Sequence, residues 1–311
     1  MANADRVDIV EVGPRDGFQP IVPFIATETK IDLVHRLYDA GLRRIEATAF
    51  VSDRAIPQLS DAGRVLKAAE ELPDLDVQVL VPNRRYCDRA VEAGAKHVAY
   101  VLSVSEKHNM NNVRRTPADS VEEYRGLVAG LPVDVAVRLN LATAFDCPFD
   151  GPVSVDAAIA LLEPLLAARS NVEVALCDTT GRVTPDRVSA LFQVAQARFA
   201  ASETVWAFHG HDTYGVGVAN VLAAYAAGVR VMDASFGGLG GCPFAPGATG
   251  NVATEDVVWT LDGMGISTGI DLAKLLAVAE DAAELPGALI GGRVRDALRG
   301  ARSRDIVAVT Q

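Results

Sequence analysis

His209-Gly210-His211, Asp16 and Asn251 have side chains of the right types to share one metal ion. Residues two apart on a strand point the same way, so two imidazoles at i and i+2 can meet a single ion. The alternative is a pair of core histidines, but only five histidines occur in the chain and these two sit at a predicted strand end. Asp16 supplies an anionic third ligand and Asn251 an amide oxygen. A mixed nitrogen and oxygen set without a thiolate suits Mg²⁺ or Mn²⁺ better than structural Zn²⁺, and leaves open positions where a substrate hydroxyl and carboxylate can chelate. Asp212 points to the opposite face and reads as structural. Arg15, next to Asp16, has the planar fork that clamps an enolate or carboxylate oxygen. Glu11 and Glu46 have the chemistry of a general base but read in preference as carboxylates that orient it; a surface ion pair is the competing explanation. Cys242 follows Gly237, Gly238, Gly240 and Gly241, a run suited to a flexible loop. A thiol with a pKa near ~8.5 can protonate a carbanion-like carbon near neutral pH. Cys147 and Cys177 read as buried packing residues, and Cys87 as inert.

Such a constellation needs a scaffold that brings distant segments to one mouth. Short apolar runs predict strands over Val7–Gly13, Arg43–Ala49, Val77–Pro82, His97–Val104, Val133–Ala142, Val172–Thr179, Val205–Asp212 and Val231–Gly237. Between them helical patterns cover Thr27–Ala40, Tyr86–Ala93, Val121–Ala129, Val155–Ala168, Pro185–Phe199 and Val216–Ala227. Gly41, Gly94, Gly130 and Gly228 are placed to end helices, and Ser120, Thr184 and Thr254 to cap their starts. Segment 105–112 reads as a polar loop. Eight strands alternating with helices over ~250 residues match a (β/α)8 TIM barrel, whose active site lies at the C-terminal ends of its strands. The candidate residues fall there. The barrel is expected over 1–265, with a C-terminal helical extension over 266–311 packed under or across its mouth.

A net charge of −11 argues against a nucleic-acid partner. No apolar run reaches the ~20 residues of a membrane span. The N-terminus lacks a signal-peptide layout, and four cysteines without a CxxC pattern suit a reducing, cytoplasmic setting. Many barrels of this size form homodimers or higher homo-oligomers, and the C-terminal helix is the candidate contact.

The motifs resemble those of the 3-hydroxy-3-methylglutaryl-CoA lyase family, within the DRE-TIM metallolyases. The matching segments are Glu-Val-Gly-Pro-Arg-Asp-Gly at 11–17, Ile-Glu-Ala-Thr-Ala-Phe-Val-Ser at 45–52, Asp-Thr-Thr-Gly at 178–181, His-Gly-His-Asp-Thr-Tyr-Gly at 209–215 and Gly-Gly-Leu-Gly-Gly-Cys-Pro-Phe at 237–244, running on to Asn251. The resemblance implies a divalent cation on Asp16, His209, His211 and Asn251, with Arg15 on the thioester enolate. Cys242 would lie on a mobile loop, Glu46 would support the site, and His209 would also relay the substrate's hydroxyl proton. The implied reaction is retro-Claisen cleavage of an acyl-CoA. Phe18, Gln19, Arg138, Asn140, Asp178 and Thr179 would line the substrate pocket. Arg84, Arg85, Lys107, Arg114 and Arg115 are candidates for coenzyme A phosphates, each also readable as a solvated charge. Three places depart from the family: Phe18-Gln19-Pro20-Ile21 after the Arg-Asp pair, Asn140 where the family has a tyrosine, and Ala175 with Cys177 in place of serine and glycine. Retained chemistry on an altered acyl group is the expectation. A Claisen-condensing synthase, a pyruvate-class aldolase and an inactive binding barrel are the rivals.

Overall fold

Eight parallel strands close on themselves in chain order: β1 (Asp8–Glu11), β2 (Arg44–Ala49), β3 (Asp76–Val81), β4 (His97–Ser103), β5 (Ala136–Ala142), β6 (Glu173–Cys177), β7 (Val205–His209) and β8 (Val231–Ala234). The computed structural model describes residues 5–241 and 249–300, so Cys242 lies outside the described residues. Helices Thr27–Asp39, Ala62–Glu70, Arg84–Glu92, Pro117–Gly130, Val155–Ala168, Pro185–Arg198, Gly217–Ala226 and Thr254–Gly263 follow the strands in turn. This is the (β/α)8 barrel the alternation predicts.

The outer layer is an aliphatic core. Ile45, Val79, Val98, Leu139, Leu176 and Phe208 meet helix residues such as Leu37, Leu66, Leu127, Leu162 and Leu191 in one buried cluster. Each such side chain contributes roughly 1.5–3 kcal/mol on burial. The barrel interior differs. Val10, Val12, Ala175, Cys177, Ala207 and Val231 form a small apolar patch, while Arg44, Glu46, Thr48, Gln78, Arg138, Glu173 and Asp233 are polar.

Several local expectations are corrected. β1, β7 and β8 end before Gly13, Asp212 and Gly237, because the chain leaves the ladder to build the mouth. Segment 105–112 is not a loop: Glu106–Val113 is a helix whose N-cap Ser105 accepts from the backbone N–H of His108. Helix Ala62–Glu70 was not expected. Ser120 is no cap; Thr116 and Asp119 form a capping box at the start of that helix. The hydroxyl of Ser120 instead accepts from Asn109 Nδ2. Thr184 is an N-cap position without a side-chain cap bond. Thr254 is the first helical residue and Ala253 the cap. Gly41, Gly94 and Gly228 take positive φ after their helices, whereas Gly130 is the last residue of its helix.

The extension starts at the bottom and reaches the top. Ser267 N–H donates to the Asp5 carbonyl and Val7 N–H to the Ser267 carbonyl, both at 3.0 Å. Helix Leu272–Ala283, capped by Asp271, buries Leu275, Leu276, Val278 and Ala279. Residues beyond it arrive at the mouth, where Gly291 N–H donates to the Gly237 carbonyl at 2.9 Å.

Candidate active site

Gly13–Gly17 winds as a single π-helical turn directly after β1. Phe18 N–H donates to the Gly13 carbonyl at 2.9 Å, closing the wide turn. Glu11 holds the turn in place rather than orienting Arg15 as expected. Its buried carboxyl accepts from Gly13 N–H at 2.8 Å, Phe236 N–H at 3.0 Å and the Thr254 hydroxyl at 2.7 Å. Arg15 and Asp16 thereby stand at the mouth. Arg15 Nε donates to Glu46 Oε2 at 2.6 Å, and its Nη1 to Asp16 Oδ1. Glu46 is thus the partner of Arg15 that the sequence suggests.

Asp16, His209 and His211 each bring a ligating atom within 4.8 Å of the others. Burial opposes ionisation of Asp16, but Arg15, both imidazoles and the Asn251 amide outweigh it and hold its carboxyl well below the usual range. Asn251 Nδ2 donates to Asp16 Oδ2 at 2.8 Å and to the Leu239 carbonyl at 3.1 Å. Asn251 reaches this point through a bridge between its backbone and that of His211. Asn251 Oδ1 and His211 Nδ1 are buried with no hydrogen-bond partner, a costly state that a cation would relieve. Burial, then His209, push His211 down to about 4, which keeps it a neutral ligand.

His209 is fixed from below. Its Nδ1 lies 3.0 Å from Asp233 Oδ2, an arrangement in which a carboxylate sets the tautomer and leaves Nε2 free to ligate. That bond leaves one nitrogen, so His209 cannot both ligate an ion and accept a substrate proton. Asp233 also accepts from Arg138 Nη2 through both oxygens at 2.6 Å. Arg138 Nη1 donates to Glu173 at 2.6 Å, Glu173 accepts from Arg44 at 2.8 Å, and Arg44 donates to Asp76 at 3.0 Å. Sequence reading missed Asp233, Glu173 and Asp76. Each finds its partner on another strand, so local spacing does not mark it. Asp16, Glu46, Asp76, Glu173 and Asp233 pair with Arg15, Arg44 and Arg138, and Asp76 and Asp233 also meet His97 and His209.

Other candidates scatter. Phe18 is fully buried, its ring edge-on to Phe236 at 5.9 Å, so it belongs to the core and not to a pocket. Gln19 is exposed on the rim. Arg138 is 1% exposed and wholly committed to Glu173, Asp233 and Asn140. Asp178 is buried and tied to the Val183 N–H at 3.4 Å, its pKa raised by burial to about 6. Thr179 Oγ1 accepts from the Thr143 N–H at 2.8 Å. These last two shape the loop after β6. Asp212 caps helix Gly217–Ala226, accepting from Gly217 N–H at 2.7 Å. Cys177 and Cys147 are buried as expected. Lys107 pairs with Asp150, Arg84 with Asp88, and Arg115 with Glu123.

Gly237, Gly238 and Gly240 adopt positive φ. Gly240 also lies where an added Cβ would sit 2.7 Å from Asn251 Nδ2, so the glycines let backbone pass close above the ligand cluster. Gly241 and Thr249, which flank the segment holding Cys242, are joined by an antiparallel bridge.

The family model described as HMGL-like matches residues 6–282. The protein named hydroxymethylglutaryl-CoA lyase, mitochondrial, of Arabidopsis thaliana is 41% identical over 275 residues, 88% of this chain and 58% of that protein. Its namesake in Mus musculus is 41% identical over 276 residues, 88% of this chain and 84% of that protein. A solved structure of an HMG-CoA lyase from Acinetobacter baumannii, in complex with coenzyme A and 3-methylmalate, is 38% identical with a TM-score of 0.88, covering 96% of each chain. With the barrel, the match across most of the chain and the relatives' names in agreement, this chain belongs to the HMGL-like family and is a carbon–carbon lyase within it.

Proposed function

We propose that the enzyme cleaves a 3-hydroxyacyl-CoA related to 3-hydroxy-3-methylglutaryl-CoA by divalent-cation-dependent retro-Claisen chemistry, releasing acetyl-CoA or another acyl-CoA and a keto acid. The observation that carries this reading is the cluster of Asp16, His209 and His211 with the unpartnered Asn251 Oδ1 beside it, facing the Arg15–Glu46 pair. Asp16, His209 Nε2, His211 and Asn251 Oδ1 would hold Mg²⁺ or Mn²⁺. Bound there, the cation would acidify the substrate's tertiary hydroxyl and withdraw charge from the acyl group.

The chain's own residues do the rest. As the C2–C3 bond breaks, its electron pair passes to C2, the hydroxyl oxygen gives up its proton to solvent water at the mouth, and the hydroxyl-bearing carbon becomes a carbonyl. Arg15, held by Glu46 and Asp16, meets the enolate oxygen that develops on the thioester. Asp233 keeps His209 in the ligating tautomer, which removes His209 from the proton relay. Cys242 delivers a proton to C2 of the enolate, and its thiolate regains one from solvent. Arg85 and Arg114 stand nearest the role of coenzyme A phosphate contacts, since the other basic residues of that region are paired. A reducing cytoplasmic setting and a homo-oligomer complete the reading.

A steady-state assay on metal-replete protein with 3-hydroxy-3-methylglutaryl-CoA, following released acetyl-CoA, tests it, with Cys242→Ala as control. Cleavage that depends on Cys242 supports the reading in full. Weak cleavage with metal bound means a different acyl group. Absence of metal binding by the purified protein refutes it.

A further inference from the structure

We infer that Asn140 is a specificity-determining residue, whose amide NH2 donates to an oxygen on the C3 substituent of the substrate. The inference rests on the lyase reading above and deepens it. Asn140 and Arg138 are two apart on β5 and share its inward face. Arg138 Nε donates to Asn140 Oδ1 at 2.8 Å. A guanidinium has donors only, so the amide cannot be turned the other way without setting donor against donor. Nδ2 therefore points away from Arg138.

No described residue accepts from that NH2. Asn140 is only 8% exposed, yet Nδ2 is not among the enclosed polar atoms left without a partner, so solvent reaches it. Its neighbours across the sheet are Val101 on β4 and Ala175 on β6, neither of which offers a side-chain acceptor. The same Arg138 that fixes Asn140 reaches Asp233, which in turn holds His209. The free donor is thus set one guanidinium away from the support of the metal ligand, within the interior that the acyl group enters. Once substrate displaces the water there, a donor left without an acceptor costs free energy, and a substrate oxygen avoids that cost. A substrate whose C3 substituent ends in a methyl leaves the donor unpaired and is discriminated against.

The test uses full-length protein loaded with Mg²⁺ and two free acids as probes. 3-Hydroxyglutarate presents a carboxylate on its C3 substituent and 3-hydroxybutyrate a methyl group. Calorimetric titrations are run on the wild type, on Asn140→Leu, which keeps the shape without the donor, and on Asn140→Asp, which keeps the acceptor for Arg138. Both variants are expected to bind 3-hydroxyglutarate about tenfold or more weakly, with 3-hydroxybutyrate and Mg²⁺ affinities within about twofold of wild type. Equal weakening of both acids in Asn140→Leu, with none in Asn140→Asp, would show that Asn140 acts only through Arg138, and would overturn the inference. So would a wild type that does not distinguish the two acids, or variants that bind both as well as wild type does. Turnover is not needed for the result. A protein that prefers 3-hydroxyglutarate through Asn140 but cleaves no acyl-CoA would end the lyase reading and leave this assignment standing.

Discussion

Glu11 tests whether burial or hydrogen bonding controls a carboxyl group at the root of the site. Burial raises its pKa from 4.5 to about 8, against three donors, Thr254, Gly13 and Phe236, that favour the charged form. If burial wins, the unfolded chain loses this proton near pH 4.5 and the folded enzyme keeps it until about pH 8. The folded state then binds more protons through that window, so stability falls as pH rises, by about 1.4 kcal/mol per pH unit. The contribution is fully present below pH 4.5 and lost as pH passes 8, about 5 kcal/mol in all at this order of magnitude. Glu11→Gln mimics the protonated group: its carbonyl can accept from the two backbone N–H groups and its NH2 can donate to the Thr254 hydroxyl. Urea unfolding of wild type and variant, with a chelator present to remove metal effects, isolates the residue, because every other titrating group is common to both. The expected difference is small near pH 5 and moves in favour of the variant by several kcal/mol by pH 8. A difference that stays constant across that range, with the variant uniformly less stable, would mean that Glu11 is ionised in the fold and that the three donors outweigh burial.

Two further outcomes follow from the same geometry. Asp233→Asn removes the carboxylate that fixes the His209 tautomer, and should weaken Mg²⁺ or Mn²⁺ binding about 10–100-fold; unchanged affinity by calorimetry would show that His209 needs no support from below. Gly238→Ala forces a side chain onto a residue with φ of 58° and places its Cβ 2.8 Å from Gly291 Cα. A loss of about 1–3 kcal/mol is expected, read as a lowered thermal midpoint, and a midpoint equal to wild type would show that the 291 segment yields freely.

The meeting of Asp16, His209 and His211 was legible in the sequence because chemistry constrains residue type and spacing most tightly there. Two histidines separated by a glycine at a strand end, and an Arg-Asp pair after the first strand, need no packing information to be read. Glu11 and Phe18 went astray for one shared reason. Both lie beside a π-helical turn, where side-chain directions follow neither the strand period nor the usual helical one. Continuing β1 through Gly13 puts Glu11 beside Arg15, whereas the turn hands it three backbone and hydroxyl donors. The helix Glu106–Val113 was hidden by composition. Its Asn and His residues are weak helix formers, and a Ser105 cap with tertiary bonds from Asn109 to Ser103 and Ser120 decides the matter. Asp233 and Glu173 were illegible as functional groups because each matters through a partner on another strand, and pairing across β5, β6 and β8 is not written in local spacing.

That chain of buried ion pairs says something about what the barrel interior is for. Buried pairs contribute little net stability, because desolvation cancels most of the attraction, and aliphatic side chains of similar volume often serve a fold as well or better. The outer layer already uses them, in a continuous core between strands and helices. Inside, β1, β6 and β7 carry Val10, Ala175 and Ala207, which are too small to fill a barrel. Arg138, Glu173 and Asp233, long or charged side chains, share that interior and fix what lies above. A barrel selected for stability alone would exchange these residues for Leu and Ile. Here the guanidinium of Arg138 orients two groups at once, the carboxylate behind His209 and the amide of Asn140. One buried cation therefore links the metal ligand to the proposed substrate donor. Replacing Arg138 should disturb both together, whereas a change at Asn140 should disturb only the second.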